Sequence, residues 1–230
     1  MIRKFALITV YTCCTNDRDI LRTDQCTEGS IFIAYVDDNV PENGIWQNRL
    51  ASMQSESPRR NARRHKILSQ EFTETSYSVW IDANVSLRVP AGQLVDEYLH
   101  SADLAVFKHS SRSCTYEEAR RCLELGVDSR RLISEQMDKY RANAFPENYG
   151  LAETTVVIRR NTDAVRKFNA RWWAEVCQHS LRDQLSFMYV ARSTKIAAHY
   201  IAPTKYENPY FSILNRPAGR ECTTPFSSRF

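Results

Sequence analysis

Glycine is scarce in this chain, 6 of 230 residues, and proline supplies only 8. With so little turn-forming punctuation and no internal period, repeat arrays, low-complexity tracts and long linkers are excluded. Long hydrophobic runs are missing as well: nothing approaches the roughly 20 apolar residues that span a bilayer as a helix. The seven cysteines, at 13, 14, 26, 114, 122, 177 and 222, contain no CxxC pair and no zinc-like Cys/His spacing. An odd, scattered set of this kind fits reduced thiols in a cytosolic protein. A large charge of one sign is also absent. The net charge of +4 is too small to argue for nucleic acid. No GxSxG elbow and no zinc-protease spacing occurs, which counts against a hydrolase.

What remains is the composition of a soluble globular protein, 43% hydrophobic and 25% charged, and residues 1–230 read as a single domain. "MIRKFALITVYTCCTND" places two basic residues before an apolar run. Its alternating β-branched residues read as a first strand rather than a leader, so the protein is expected to stay in the cytoplasm. Nearly continuous apolar runs predict strands at 4–11, 31–36, 77–82, 103–107, 154–159 and 196–201. Between them, helical periodicity predicts helices over 91–101, from Thr115 to Gly126, over 129–142 and over 163–178. Thr115 and Glu118 have capping-box spacing, and a further helix after Ser180 puts Asp183 at its third position. Strands alternating with helices imply an α/β sandwich around a mostly parallel sheet, with ligands held at the carboxyl ends of the strands.

Five segments carry residues with chemical potential. "SVWIDANVSL", 78–87, ends a strand in Asp82 and Asn84, which serve either as turn formers or as ligand contacts. "PRRNARRHK", 58–66, packs five basic side chains and a histidine into nine residues. Arg63 and Lys66 lie one turn apart there, on either a solvated basic face or a phosphate-binding one. His109 and Arg112 follow another strand end, while Glu117 and Glu118 read as partners of a helix dipole. Asp183 is either a helix cap, a general base or an anchor for a sugar hydroxyl, with Arg182 and Gln184 beside it. His199 is either a metal ligand or a side chain turned outward from its strand, the plainer reading being favoured.

Taken in order, "RRNARRHKILSQEF", "YSVWIDANVSL", "VFKHSSRSCTYEEA", "GLAETTVVIRRN" and "WWAEVCQHSLRDQLSF" resemble a glycosyltransferase-like domain family of bacteria and of plant proteins connected with mucilage pectin. The resemblance covers about residues 55–195 and implies a GT-A-like three-layer sandwich that binds a nucleotide-diphosphate sugar. By it, "DAN" occupies the place of a DxD motif, with Asp82 holding a divalent cation (Mn²⁺ or Mg²⁺), helped by His199. Asn84 departs from the second acid of that motif, and a neutral amide is a weaker ligand for a hard cation. The basic segment is therefore the alternative counter-charge. The resemblance also assigns Asp37 and Asp38 to the base or ribose, and Thr9 and Tyr11 to the flanks of the nucleotide. It assigns Arg182, Asp183 and Gln184 to the acceptor or the reacting face of the donor sugar. His109, with Arg112 near it, is read from its place at the same strand edge as Asp82, as an acceptor or phosphate contact.

The expected function is thus transfer of a sugar from a nucleotide-diphosphate donor to a hydroxyl of a glycan or polysaccharide, with Asp183 and His109 as catalytic candidates. No nucleic-acid partner is expected; contact with a membrane surface stays open. Two rivals remain: a hydrolase using the same carboxylates, and a non-catalytic module that binds polyanions through residues 59–66.

Overall fold

The structure, a computed structural model, describes residues 7–15, 20–37, 44–55 and 57–214. The strands of its central sheet are β1 (Ile8–Cys14), β2 (Ser30–Val36), β3 (Gln47–Leu50), β4 (Tyr77–Ile81), β6 (Leu104–Lys108), β7 (Ala152–Arg160) and β8 (Ala198–Ile201). They lie in the order β3-β2-β1-β4-β7-β6-β8. Every strand runs the same way except β7, which is antiparallel to both β4 and β6. A two-stranded sheet, β5 (Val85–Leu87) with β9 (Phe211–Ile213), stands apart from it.

Alternation along the strands sorts the core into two layers. Tyr11, Ile33, Tyr35, Trp80, Val106 and Val157 point to one face. There they meet α1 (Pro58–Ile67), α2 (Ser69–Phe72), α4 (Thr115–Glu124), α5 (Arg130–Ala142), α6 (Asp163–Gln178) and α7 (Asp183–Thr194). Val10, Phe32, Val79, Ile81, Ala105 and Phe107 point to the other face, covered by α3 (Ala91–Tyr98) and the β5–β9 pair. The result is the expected three-layer α/β sandwich. Burial on both faces is why these strands read as unbroken apolar runs.

Helix α6 shows how local sequence sets an element. Thr162 caps it by accepting from the Val165 N–H, and Val165, Phe168, Trp172 and Val176 form its buried stripe. Phe187 of α7 packs edge-on against Phe168 and Trp172, at 5.2 and 5.0 Å between ring centroids. Trp172 is thus core, and its neighbour Trp173 packs partly buried against the same cluster.

Some boundaries differ from the expectations. Strand β1 runs on to Cys14, because Thr12, Cys13 and Cys14 continue the pairing with β2 and are small enough to be buried. Residues 4–6 of the expected strand lie outside the described residues. Cys114, not Thr115, flanks the start of α4, and the capping box is not formed. Asp183 is the first residue of α7 rather than the third; the Ser180 hydroxyl instead donates to Asp128.

Candidate active site

Helix α1 delivers two cations to the carboxyl edge of the sheet. Ser57 caps its start and Pro58 occupies the first helical position, which needs no N–H. Arg64, His65 and Lys66 fill its last turn, where positive charge suits the helix dipole. The Lys66 carbonyl is held by the Tyr11 hydroxyl at 3.2 Å and by Arg159 Nη2 at 2.9 Å. Both supporting side chains are fully buried. The backbone of Lys66 is thereby fixed against β1 and β7.

From that anchor the Lys66 side chain, 2% exposed, runs beneath the edge. Its ammonium lies 2.9 Å from Asp183 Oδ2 and 3.6 Å from Asp82 Oδ1. Asp82 follows β4 directly, and the same oxygen accepts from Trp80 Nε1–H at 2.8 Å. Asp183 Oδ1 lies 3.1 Å from Arg63 Nε, and its Oδ2 also accepts from Thr154 at 2.7 Å. Burial alone would raise the Asp183 carboxyl, but Arg63 and then Lys66 hold it well below the usual carboxylate range. Asp82 is the outward member, with a third of its side chain exposed. One buried ammonium thus joins two carboxylates, and a guanidinium closes the far side.

The remaining donor-side candidates divide. Asp37 directly follows β2 and Cys13 lies at the end of β1, opposite Tyr35, which places both at the same edge of the sheet. Burial is the main cause that pushes the Cys13 thiol up to about 12, so it is inert at neutral pH. Asp38 lies outside the described residues. Tyr11 does not flank a nucleotide, because it is fully buried and edge-on to Trp80. Thr9 sits near the opposite, amino end of β1, hydrogen-bonded to Thr75. Asn84 turns away from Asp82: its amide donates to the Leu214 carbonyl at 3.1 Å. The Asp82 carbonyl accepts from Val85 N–H, so the turn reading of "DAN" is also correct for the backbone.

His199 does not join Asp82. It lies on β8, three strand spacings or roughly 14 Å across the sheet, with its ring against Tyr98 and His100. Among the described residues no three His, Cys, Asp or Glu side chains form a group able to hold a metal ion.

A second cluster sits two strands along the same edge, and its hub escaped the sequence reading. Glu118 is not a solvated dipole partner; its side chain is 3% exposed and takes Arg112 Nε at 2.6 Å and Arg182 Nη2 at 3.2 Å. Arg182 also donates to Gln184 Oε1 at 2.8 Å. His109 accepts from the Ser111 and Arg112 amides through Nδ1, and burial lowers its pKa, only partly opposed by Glu118. Arg182, Asp183 and Gln184 are consecutive, so the start of α7 ties the two clusters together. The sequence signal for Glu118 was its spacing from Thr115, which pointed to a cap instead.

The other cations of the basic segment serve the fold. Arg60 donates to the Val176 and Cys177 carbonyls near the end of α6, and Arg64 pairs with Glu71 and stacks over Phe72. Arg59 donates to the Val127 carbonyl. A run of like charge is tolerated because different acceptors take each one.

The fold is a three-layer α/β sandwich, and the family match below makes it a glycosyltransferase-like domain. The backbone superposes on the apo structure of the bifunctional glycosyltransferase WbbM with a TM-score of 0.52 and 10% sequence identity, covering 86% of this chain and 39% of that one. At that identity the likeness is one of fold. The chain belongs to the TOD1/MUCI70 glycosyltransferase-like domain family, whose profile matches residues 20–207. It is 28% identical over 167 residues to the probable hexosyltransferase MUCI70 of Arabidopsis thaliana. That match takes in 67% of this chain but 28% of the plant protein, so the chain spans less than a third of the length of that relative.

Proposed function

We propose that this chain transfers a sugar from a nucleotide-diphosphate donor to a hydroxyl of a glycan or polysaccharide acceptor. The observation that carries the reading is Lys66, buried between Asp82 and Asp183 at the carboxyl edge, where α/β sheets of this kind take their ligands. Such a network is pre-organised: its charges are fixed before substrate arrives and cost little reorganisation during reaction. Asp82, the exposed member, accepts hydrogen bonds from donor hydroxyls. Arg112, Arg182 and Gln184 lie on the acceptor side, and His109, uncharged at neutral pH, contacts the acceptor there.

Asp183 holds Arg63 and Lys66 in place rather than acting as the base, because a carboxylate so far below its usual range is a weak proton acceptor at neutral pH. In the transfer, the bond from the anomeric carbon to the diphosphate breaks as the bond to the acceptor oxygen forms. The acceptor proton leaves with the departing diphosphate.

Thermal shift against UDP-, GDP- and dTDP-sugars, with a CMP-sugar as monophosphate control, tests the reading. A selective response supports it, and Asp82→Ala should weaken that response. Indifference to every nucleotide sugar, in Mn²⁺ as in EDTA, refutes it.

A further inference from the structure

The carboxylates of this edge already have cations, and the cations are the protein's own. Asp82 Oδ1 serves Trp80 and faces Lys66, while both oxygens of Asp183 are taken by Arg63, Lys66 and Thr154. Asn84, in the position of a second acid, spends its amide on Leu214, and His199 is three strands away. A hard divalent cation asks for several oxygen ligands at once. The described side chains at this edge do not fit one: both Asp183 oxygens are spent, Asp82 offers a single oxygen beside a buried ammonium, and Asn84 and His199 are turned elsewhere.

Arg63 meets the diphosphate's need instead. Its Nε lies 3.1 Å from Asp183 Oδ1 as an ion pair, without the geometry of a hydrogen bond. Its side chain is 23% exposed, against 2% for Lys66, so it reaches solvent where Lys66 does not. Arg63 is carried by α1, whose last turn is held against β1 by the Tyr11 hydroxyl on the Lys66 carbonyl. A guanidinium offers its nitrogens as a fork to phosphate oxygens.

We infer that the Arg63 guanidinium, steered by Asp183, is the counter-charge for the donor's diphosphate, and that donor binding is independent of divalent metal. Lys66 is a positioning residue. It keeps Asp82 and Asp183 from repelling one another and does not reach the phosphates. The inference rests on the transferase reading.

The test compares the donor-induced thermal shift and the donor Kd, on the full chain, in excess EDTA and in Mn²⁺. The expected result is the same affinity in both within about two-fold, with Arg63→Gln weakening it by roughly ten- to hundred-fold in either buffer, the loss expected for charge-assisted hydrogen bonds. A donor response that EDTA abolishes and Mn²⁺ restores overturns the inference while leaving transfer standing. Donor affinity unchanged in a folded Arg63→Gln also overturns it. No response to any donor in either buffer overturns the transferase reading itself. The comparison in wild-type protein needs no variant to fold.

Discussion

Replacing Asp183 by asparagine is the sharpest perturbation of this edge, because it removes one charge and almost no volume. The Thr154 hydroxyl keeps a partner in the amide oxygen, so the change falls on Lys66 and Arg63. Lys66, 2% exposed, keeps only Asp82, at 3.6 Å, as an opposite charge. Removing one member of a buried ion pair costs about 3–5 kcal/mol, since the partner charge stays buried without compensation. For a chain of this length that is a fall in Tm of about 6–20 °C. The pH dependence carries the sign. The folded carboxyl is held below its unfolded value of about 3.9, so its stabilisation is complete above that pH and fades as pH falls below it. Urea unfolding across pH should therefore show wild type well above Asp183→Asn at pH 7, with the gap closing below about pH 4. A loss of less than ~1 kcal/mol at pH 7, or a gap indifferent to acid, refutes the claim that this carboxylate is the buried counter-ion.

Lys66→Met should lower stability and also create a metal response, since Asp82 and Asp183 would lose the ammonium between them; Mn²⁺ raising the Tm of the variant but not of wild type is the expected readout. His65, stacked on Phe72 and accepting the Ser52 amide through Nε2, is pushed by burial down to about 4. Its contribution is complete above about pH 6.5 and lost as pH falls towards 4, which NMR titration of the imidazole and the acid limb of the stability curve should both report. Gly150 adopts φ +107°, and a Cβ there would stand 2.6 Å from the Tyr200 hydroxyl. Gly150→Ala should cost about 1–3 kcal/mol in chemical denaturation, part of it recovered by Tyr200→Phe. Because Arg59, Arg60, Arg64 and Lys66 have partners within the chain, single-stranded RNA should show no retention in a gel-shift assay at physiological salt; tight, salt-sensitive retention would favour the polyanion-binding alternative.

The sequence by itself determined where most of the central sheet and its long helices lie, though not the short strands β3, β5 and β9, and where the chemistry begins. Apolar runs at 31–36, 77–82, 103–107 and 154–159 mark strands because burial on both faces leaves no polar alternation to confuse them. The stripe from Val165 to Val176 marks α6, and Asp82 was legible as a polar residue closing a buried strand. Local pattern carries that information because periodicity is a property of neighbouring residues. Strand direction is not: β7 reads like its parallel neighbours, and only the path of the chain turns it antiparallel. Nor could sequence pair the charges. That Lys66 sinks between Asp82 and Asp183, that Glu118 collects Arg112 and Arg182, and that Asn84 and His199 turn elsewhere are long-range facts. A charge takes whichever opposite charge the folded sheet brings within a few ångströms, and that distance exists only once the chain has closed on itself.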